Sequence, residues 1–301
     1  MRLNLRELTR LSKDYAIKPV IGVQNITEGN TSEALTVITL DQKYILRKVK
    51  DREQAITEYH ISEELNKRNV SPKILLSNNK EPFITINDSV YNLQIYIEHS
   101  QKPKEINFYQ LGQTISLFHS SVHKVNGVHE QQDRFNLNKI WNELNKIDEV
   151  STINFKDQLT FKVDQCSNIN HDNNCFIHGD LGIWNLIFSQ KDIYIIDFGE
   201  VRRGNNHFDI SAVITSSLDW NQNDNHIATY LTCFKNGYIS NFQDFNWSVL
   251  RENITLWFTR GMVALLLNNG INDKTCMHAE LMMERRERLD DIITTNFIKT
   301  E

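Results

Sequence analysis

Three stretches near the N-terminus, residues 20–26, 34–40 and 44–49, are rich in β-branched and aromatic residues, and the polar turn at 41–43 predicts that the last two form a β-hairpin. Residues 51–69 then place Ala55, Tyr59, Ile61 and Leu65 close to a three-to-four spacing, which predicts a helix. After Pro72, the apolar runs 73–77, 83–87 and 91–98 predict three further strands. Beyond Pro103 the period changes. Phe108, Leu111, Ile115, Phe118 and Val122 share one stripe of a long helix, and residues 135–147 begin another. Residues 209–218, 227–238, 249–267 and 277–293 also carry a helical pattern, the third with a broad buried face at Leu250, Ile254, Trp257, Phe258, Gly261 and Leu265. The expected fold is of the α+β class and bilobal. A small β-rich lobe spans 1–97, a larger and mostly helical lobe spans 98–301, and a ligand cleft is expected between them.

Composition changes this picture little. With 40% apolar and 24% charged residues, the 301-residue chain can bury a large core. A net charge of −5 argues against a nucleic-acid or anionic-membrane surface, which needs a local excess of Lys and Arg. It is compatible with a cationic or amino-bearing small substrate. Charged residues interrupt the leucines of the N-terminus, so no signal peptide is expected, and no apolar run approaches the length of a membrane span. A cytoplasmic protein, monomer or homodimer, is the expectation. Cys166, Cys175, Cys233 and Cys276 lack CxxC spacing and read as reduced thiols rather than a zinc site.

The chemistry concentrates in residues 176–200, FIHGDLGIWNLIFSQKDIYIIDFGE. Phosphoryl transfer to a hydroxyl needs a carboxylate to orient that hydroxyl and accept its proton, and oxygen ligands to hold Mg2+ against the phosphates. HGDLGIWN fits His-x-Asp-x-x-x-x-Asn, and IIDFG follows after an apolar stretch. In order, these motifs resemble the aminoglycoside phosphotransferase and choline kinase family, of protein-kinase-like fold. The resemblance implies that Asp180 is the catalytic base, that Asn185 and Asp197 are Mg2+ ligands, and that His178 is structural in the catalytic loop. Gly182 stands where family members often carry His.

By the same resemblance Gly29, Asn30 and Thr31 would face the phosphates of ATP or GTP, Gly29 letting the backbone approach closely. Arg47 takes the place of the usual lysine and shares a strand face with Ile45, whereas a one-residue slip would present Lys48 instead. Glu58 would be the acid that pairs with that cation, with Glu63 and Glu64 as alternatives. The backbone of Gln94, Tyr96 and Ile97 would receive the base. Asp209 would be a structural acid in the first turn of the next helix, Arg202 and Arg203 a solvated loop, and His119 a core residue. Five tryptophans, among them Trp184, Trp220, Trp247 and Trp257, raise the idea of an aromatic cage for a quaternary ammonium. The implied activity is an ATP- and Mg-dependent kinase acting on an aminoglycoside, choline or ethanolamine, homoserine or a sugar. The alternative is a catalytically silent nucleotide-binding regulator. A protein kinase is disfavoured because no HRD or APE motif is present and the next helix begins too soon after DFG for an activation loop.

Overall fold

The computed structural model describes residues 3–26, 33–99, 105–167, 169 and 172–299. The chain forms two compact units. One comprises residues 1–106, 117–131 and 184–201; the other comprises 107–116, 132–183 and 202–301. Among the described residues, no helix is long and apolar enough to cross a membrane.

The first unit is built on a five-stranded antiparallel sheet of order β1-β2-β3-β5-β4, from Val20–Asn25, Ala34–Thr39, Lys43–Val49, Ile84–Ile86 and Ser89–Ile95. Strand alternation sends Val37, Tyr44, Leu46 and Leu93 to one face, where they pack with Leu11 from α1, Leu5–Asp14, and with Tyr15, which caps its C-terminal end. That helix was not anticipated from its leucines. Its start is set by Asn4, whose side chain accepts the Glu7 N–H while Glu7 returns the bond to the Asn4 N–H. Residues 73–77, expected as a strand, make only an isolated bridge, Ile74 to Gln94. Helix α2, Arg52–Asn66, is capped by Asp51 and buries Gln54, Thr57, Glu58 and Ser62 beside Ala55, Ile61 and Leu65. Its buried face is therefore half polar, and Tyr59, expected on the apolar stripe, is only half-buried. A hairpin of β7, Leu186–Phe188, and β8, Ile193–Ile195, completes this unit, tied to it where Ile195 N–H donates to Val70 O.

In the second unit α8, Trp247–Asn269, packs against α4, Leu137–Leu144, α5, Lys156–Ser167, α6, Asn206–Ser217, and α9, Asp273–Ile293. Leu144, Leu159, Val163, Met262, Val263, Leu266 and Ala279 form its core. The first part of α3, Phe108–Val122, lies against α7, Asp224–Tyr238, at glycines: a Cβ on Gly112 would overlap backbone of Phe234 and Tyr238, and one on Gly237 would overlap Tyr109. A short ribbon, β6 (Cys175–Ile177) with β9 (Arg202–Gly204), carries the chain into the segment that begins at His178.

Candidate active site

In the first unit, β3 and α2 bring a cation and an acid together. Arg47 pairs with Ala34 of β2 and Asn92 of β5, so its side chain leaves the sheet on the face opposite Tyr44 and Leu46. Glu58, 1% exposed, lies under it. Its Oε2 accepts from Arg47 Nη1 at 2.6 Å and from Asn92 Nδ2 at 3.1 Å, and its Oε1 accepts from Gln54 Nε2 at 2.7 Å. Gln54 stands one turn before Glu58, and its Oε1 accepts the Lys50 N–H at 3.0 Å. The second arm of the Arg47 fork, Nη2, donates to Asp197 Oδ1. Burial works against the guanidinium charge, but Glu58 and Asp197 outweigh it and hold its pKa above the ordinary value. Lys48 takes no part; its side chain is 40% exposed and pairs with Glu33 at 3.6 Å. Glu63 and Glu64 likewise turn to Tyr59 and Lys67.

Asp197 and Asn185 stand at one end of the β7–β8 hairpin. Leu186 pairs with Ile195, and Ile196 N–H donates to Asn185 O at 3.1 Å, which sets the two positions side by side. Asp197 adopts the left-handed conformation, φ 65° and ψ 64°, which Asp tolerates better than most residues and which often accompanies function. Gly199 follows, and a Cβ there would come within 2.5 Å of Gln54 Nε2. The donor chemistry of Asn185 and Asp197, one amide and one carboxylate oxygen, fits a hard cation completed by phosphate and water. Among the described residues no group of three or more His, Cys, Asp and Glu gathers as an all-protein cage.

The remaining expected nucleotide contacts are less defined. Gly29, Asn30 and Thr31 lie outside the described residues. Gln94 donates through Nε2 to Asn92 Oδ1 at 3.2 Å, Tyr96 N–H donates to Lys43 O at 3.3 Å, and Ile97 O lies 2.9 Å from His99 Nδ1.

In the second unit, Asp209, fully buried in the first turn of α6, accepts the backbone N–H of His178 at 2.6 Å and of Gly179 at 3.0 Å. Gly179 has φ +81°, and the turn continues with Asp180 N–H to His178 Nδ1 at 3.4 Å and Gly182 N–H to Asp180 O at 2.9 Å. Asp180 is half-buried. Arg202, expected in a solvated loop, is instead buried in β9 opposite Ile177 and pairs with Asp133 at 3.4 Å. The same carboxylate accepts Arg260 Nη2 at 3.0 Å, and burial lowers the pKa of that guanidinium despite Asp133. Phe135, Phe208 and Trp257 surround Arg260 at 5.1–5.6 Å, so this aromatic group already holds an internal cation. Trp220 instead faces Phe258, and Trp247 stacks on Phe297, so these three tryptophans do not form one cage.

Sequence reasoning missed Gln54, Asn92, Asp133 and Arg260. Asn92 left no distinct signal, because β5 also carries the polar residues Ser89 and Gln94. Asp133 and Arg260 are marked only by partners distant in the chain, whereas Gln54 stands one turn from Glu58 on the same helix.

No curated protein sequence matches this chain. Among solved structures it resembles an aminoglycoside phosphotransferase from Alicyclobacillus acidocaldarius, at TM-score 0.72 and 11% identity, covering 98% of this chain and 96% of that one. An amicoumacin kinase in complex with AMP-PNP, Ca2+ and Ami matches at 0.67 and 14%, covering 95% and 92%. The choline kinase LicA from Streptococcus pneumoniae matches at 0.60 and 12%, covering 94% and 98%. At such identities these structures establish the protein-kinase-like α+β fold. A family model matches residues 22–251. With its motifs, fold and most of its length accounted for in this way, the chain belongs to the phosphotransferase enzyme family, APH.

Proposed function

We propose that this protein is a kinase that transfers the γ-phosphoryl group of ATP, with Mg2+, to a hydroxyl of a small molecule. The observation that carries the reading is the link from Arg47 to both Glu58 and Asp197, residues from three separate elements joined on one guanidinium. In this reading residues 1–97 serve the nucleotide and residues 98–301 carry the catalytic loop and receive the acceptor. Arg47, oriented by Glu58, contacts phosphate oxygens. Asn185 and Asp197 would hold the metal, which neutralises phosphate charge when bound. Asp180, on the loop anchored by Asp209, accepts a hydrogen bond from the acceptor hydroxyl, aligns its oxygen with the γ-phosphorus and takes the proton as the ester forms, while the bond from the γ-phosphorus to the bridging oxygen breaks and ADP leaves.

Aminoglycosides, choline or ethanolamine, homoserine and sugars are the candidate acceptors, and amino-bearing acceptors suit the acidic net charge. The test is turnover of ATP and Mg2+ across a panel of these compounds, wild type against Asp180→Ala. One acceptor should stimulate ATP consumption, and the variant should lose at least about 100-fold in kcat. Equal turnover by both proteins would refute the role of Asp180. Tight nucleotide binding with no turnover on any acceptor would favour the silent regulator.

A further inference from the structure

The loop that carries Asp180 is held by α6 at two places. Asp209, in the first turn of that helix, binds the amides that precede Asp180. Ser216, in its last turn, accepts the backbone N–H of Ile183 at 2.9 Å, three residues beyond Asp180. Asp209 and Ser216 are seven residues apart, so they share one face of the helix and stand about 10 Å apart along it. Ile183 opens a single 3₁₀ turn, Ile183–Asn185, whose first N–H would otherwise lack a partner within the turn. The Ser216 hydroxyl donates its own hydrogen to Ala212 O at 2.7 Å, which leaves a lone pair fixed toward Ile183. Ser217 is more deeply buried on the same helix, and its hydroxyl makes no hydrogen bond among the described residues.

We propose that Ser216 is a positioning residue, which with Asp209 makes α6 a two-point brace for the backbone on either side of Asp180. The kinetic consequence rests on the role given to Asp180; the bracing does not. Without the hydroxyl, the chain after Asp180 loses its tie and the carboxylate samples unproductive placements, at a cost in kcat rather than in nucleotide binding.

Two measurements test this on the full chain. In Ser216→Ala, hydrogen exchange of the Ile183 amide should quicken about fivefold or more, the worth of one lost hydrogen bond. kcat should fall at least about tenfold with KM for ATP unchanged. Ser216→Thr, which keeps the hydroxyl, should restore both, and Ser217→Ala should leave both at the wild-type level. Unchanged Ile183 exchange in Ser216→Ala overturns the brace, and so does a loss in Ser216→Thr equal to that in Ser216→Ala while both variants melt as the wild type does. A wild type inactive on every acceptor defeats only the kinase reading, because the exchange measurement still decides whether Ser216 holds the loop.

Discussion

Arg47 has two anionic partners, and lysine could not reach both in the same way, because only a planar fork presents separate donors to separate carboxylates. Arg47→Lys should keep one pairing and lose about 1–2 kcal/mol of stability. Arg47→Met should lose about 3–5 kcal/mol, since it strands Glu58 uncompensated in the interior. Urea unfolding distinguishes the two, and equal losses would contradict the bridge. At this scale Asp197 stood out through the DFG motif, whereas the sequence left Lys48 as an alternative to Arg47, and Glu63 and Glu64 as alternatives to Glu58. Gln54 and Asn92 were not legible. A reading of α2 built on apolar spacing passes over a buried face whose polar members, Gln54 and Glu58, are satisfied by each other and by strands β3 and β5.

Among the elements, α6 and α7 show what short-range pattern can and cannot carry. The helical period announced α6, yet its importance lies in the fully buried Asp209, whose two oxygens each take a backbone N–H. Asp209→Ala should cost about 3 kcal/mol or more in chemical denaturation, for it orphans two buried donors, and Asp209→Asn should cost less by keeping one acceptor. Matching stabilities for both variants and the wild type would refute the anchoring. On α7, Gly237→Ala should destabilise by several kcal/mol or prevent folding, because the added methyl meets the Tyr109 carbonyl rather than a movable side chain. A wild-type melting temperature would contradict the close approach. The segment 73–77 misled because its apolar run resembles a strand, whereas pairing there stops after Leu75 N–H to Leu93 O and Ile95 N–H to Lys73 O. Helix α1 carried its own signal in the Asn4 to Glu7 spacing, which leucine periodicity alone does not weigh.

Over the whole molecule, the class of fold followed from the switch between period two and period three to four near residue 103. The grouping of residues 117–131 and 184–201 with the N-terminal unit depends on contacts far apart in sequence, and no local pattern marks it. Each unit encloses its own core, and the thiols report on that packing. Cys166 and Cys175 are buried and free of disulfides, and burial pushes both thiols above their ordinary pKa. Because the thiolate is the nucleophile, both should react with iodoacetamide near pH 8 at least about tenfold more slowly in the native protein than in urea. Rapid native labelling of Cys175, read by mass spectrometry, would contradict its place in β6. The proposed reaction, formation of a phosphate ester on a small alcohol, is read most directly by phosphorus NMR. With ATP, Mg2+ and the acceptor panel, a monoester resonance should grow as the γ-phosphate of ATP declines, and it should be absent with folded Asp180→Asn. Release of inorganic phosphate alone, or the same ester from Asp180→Asn at the wild-type rate, would contradict that reaction.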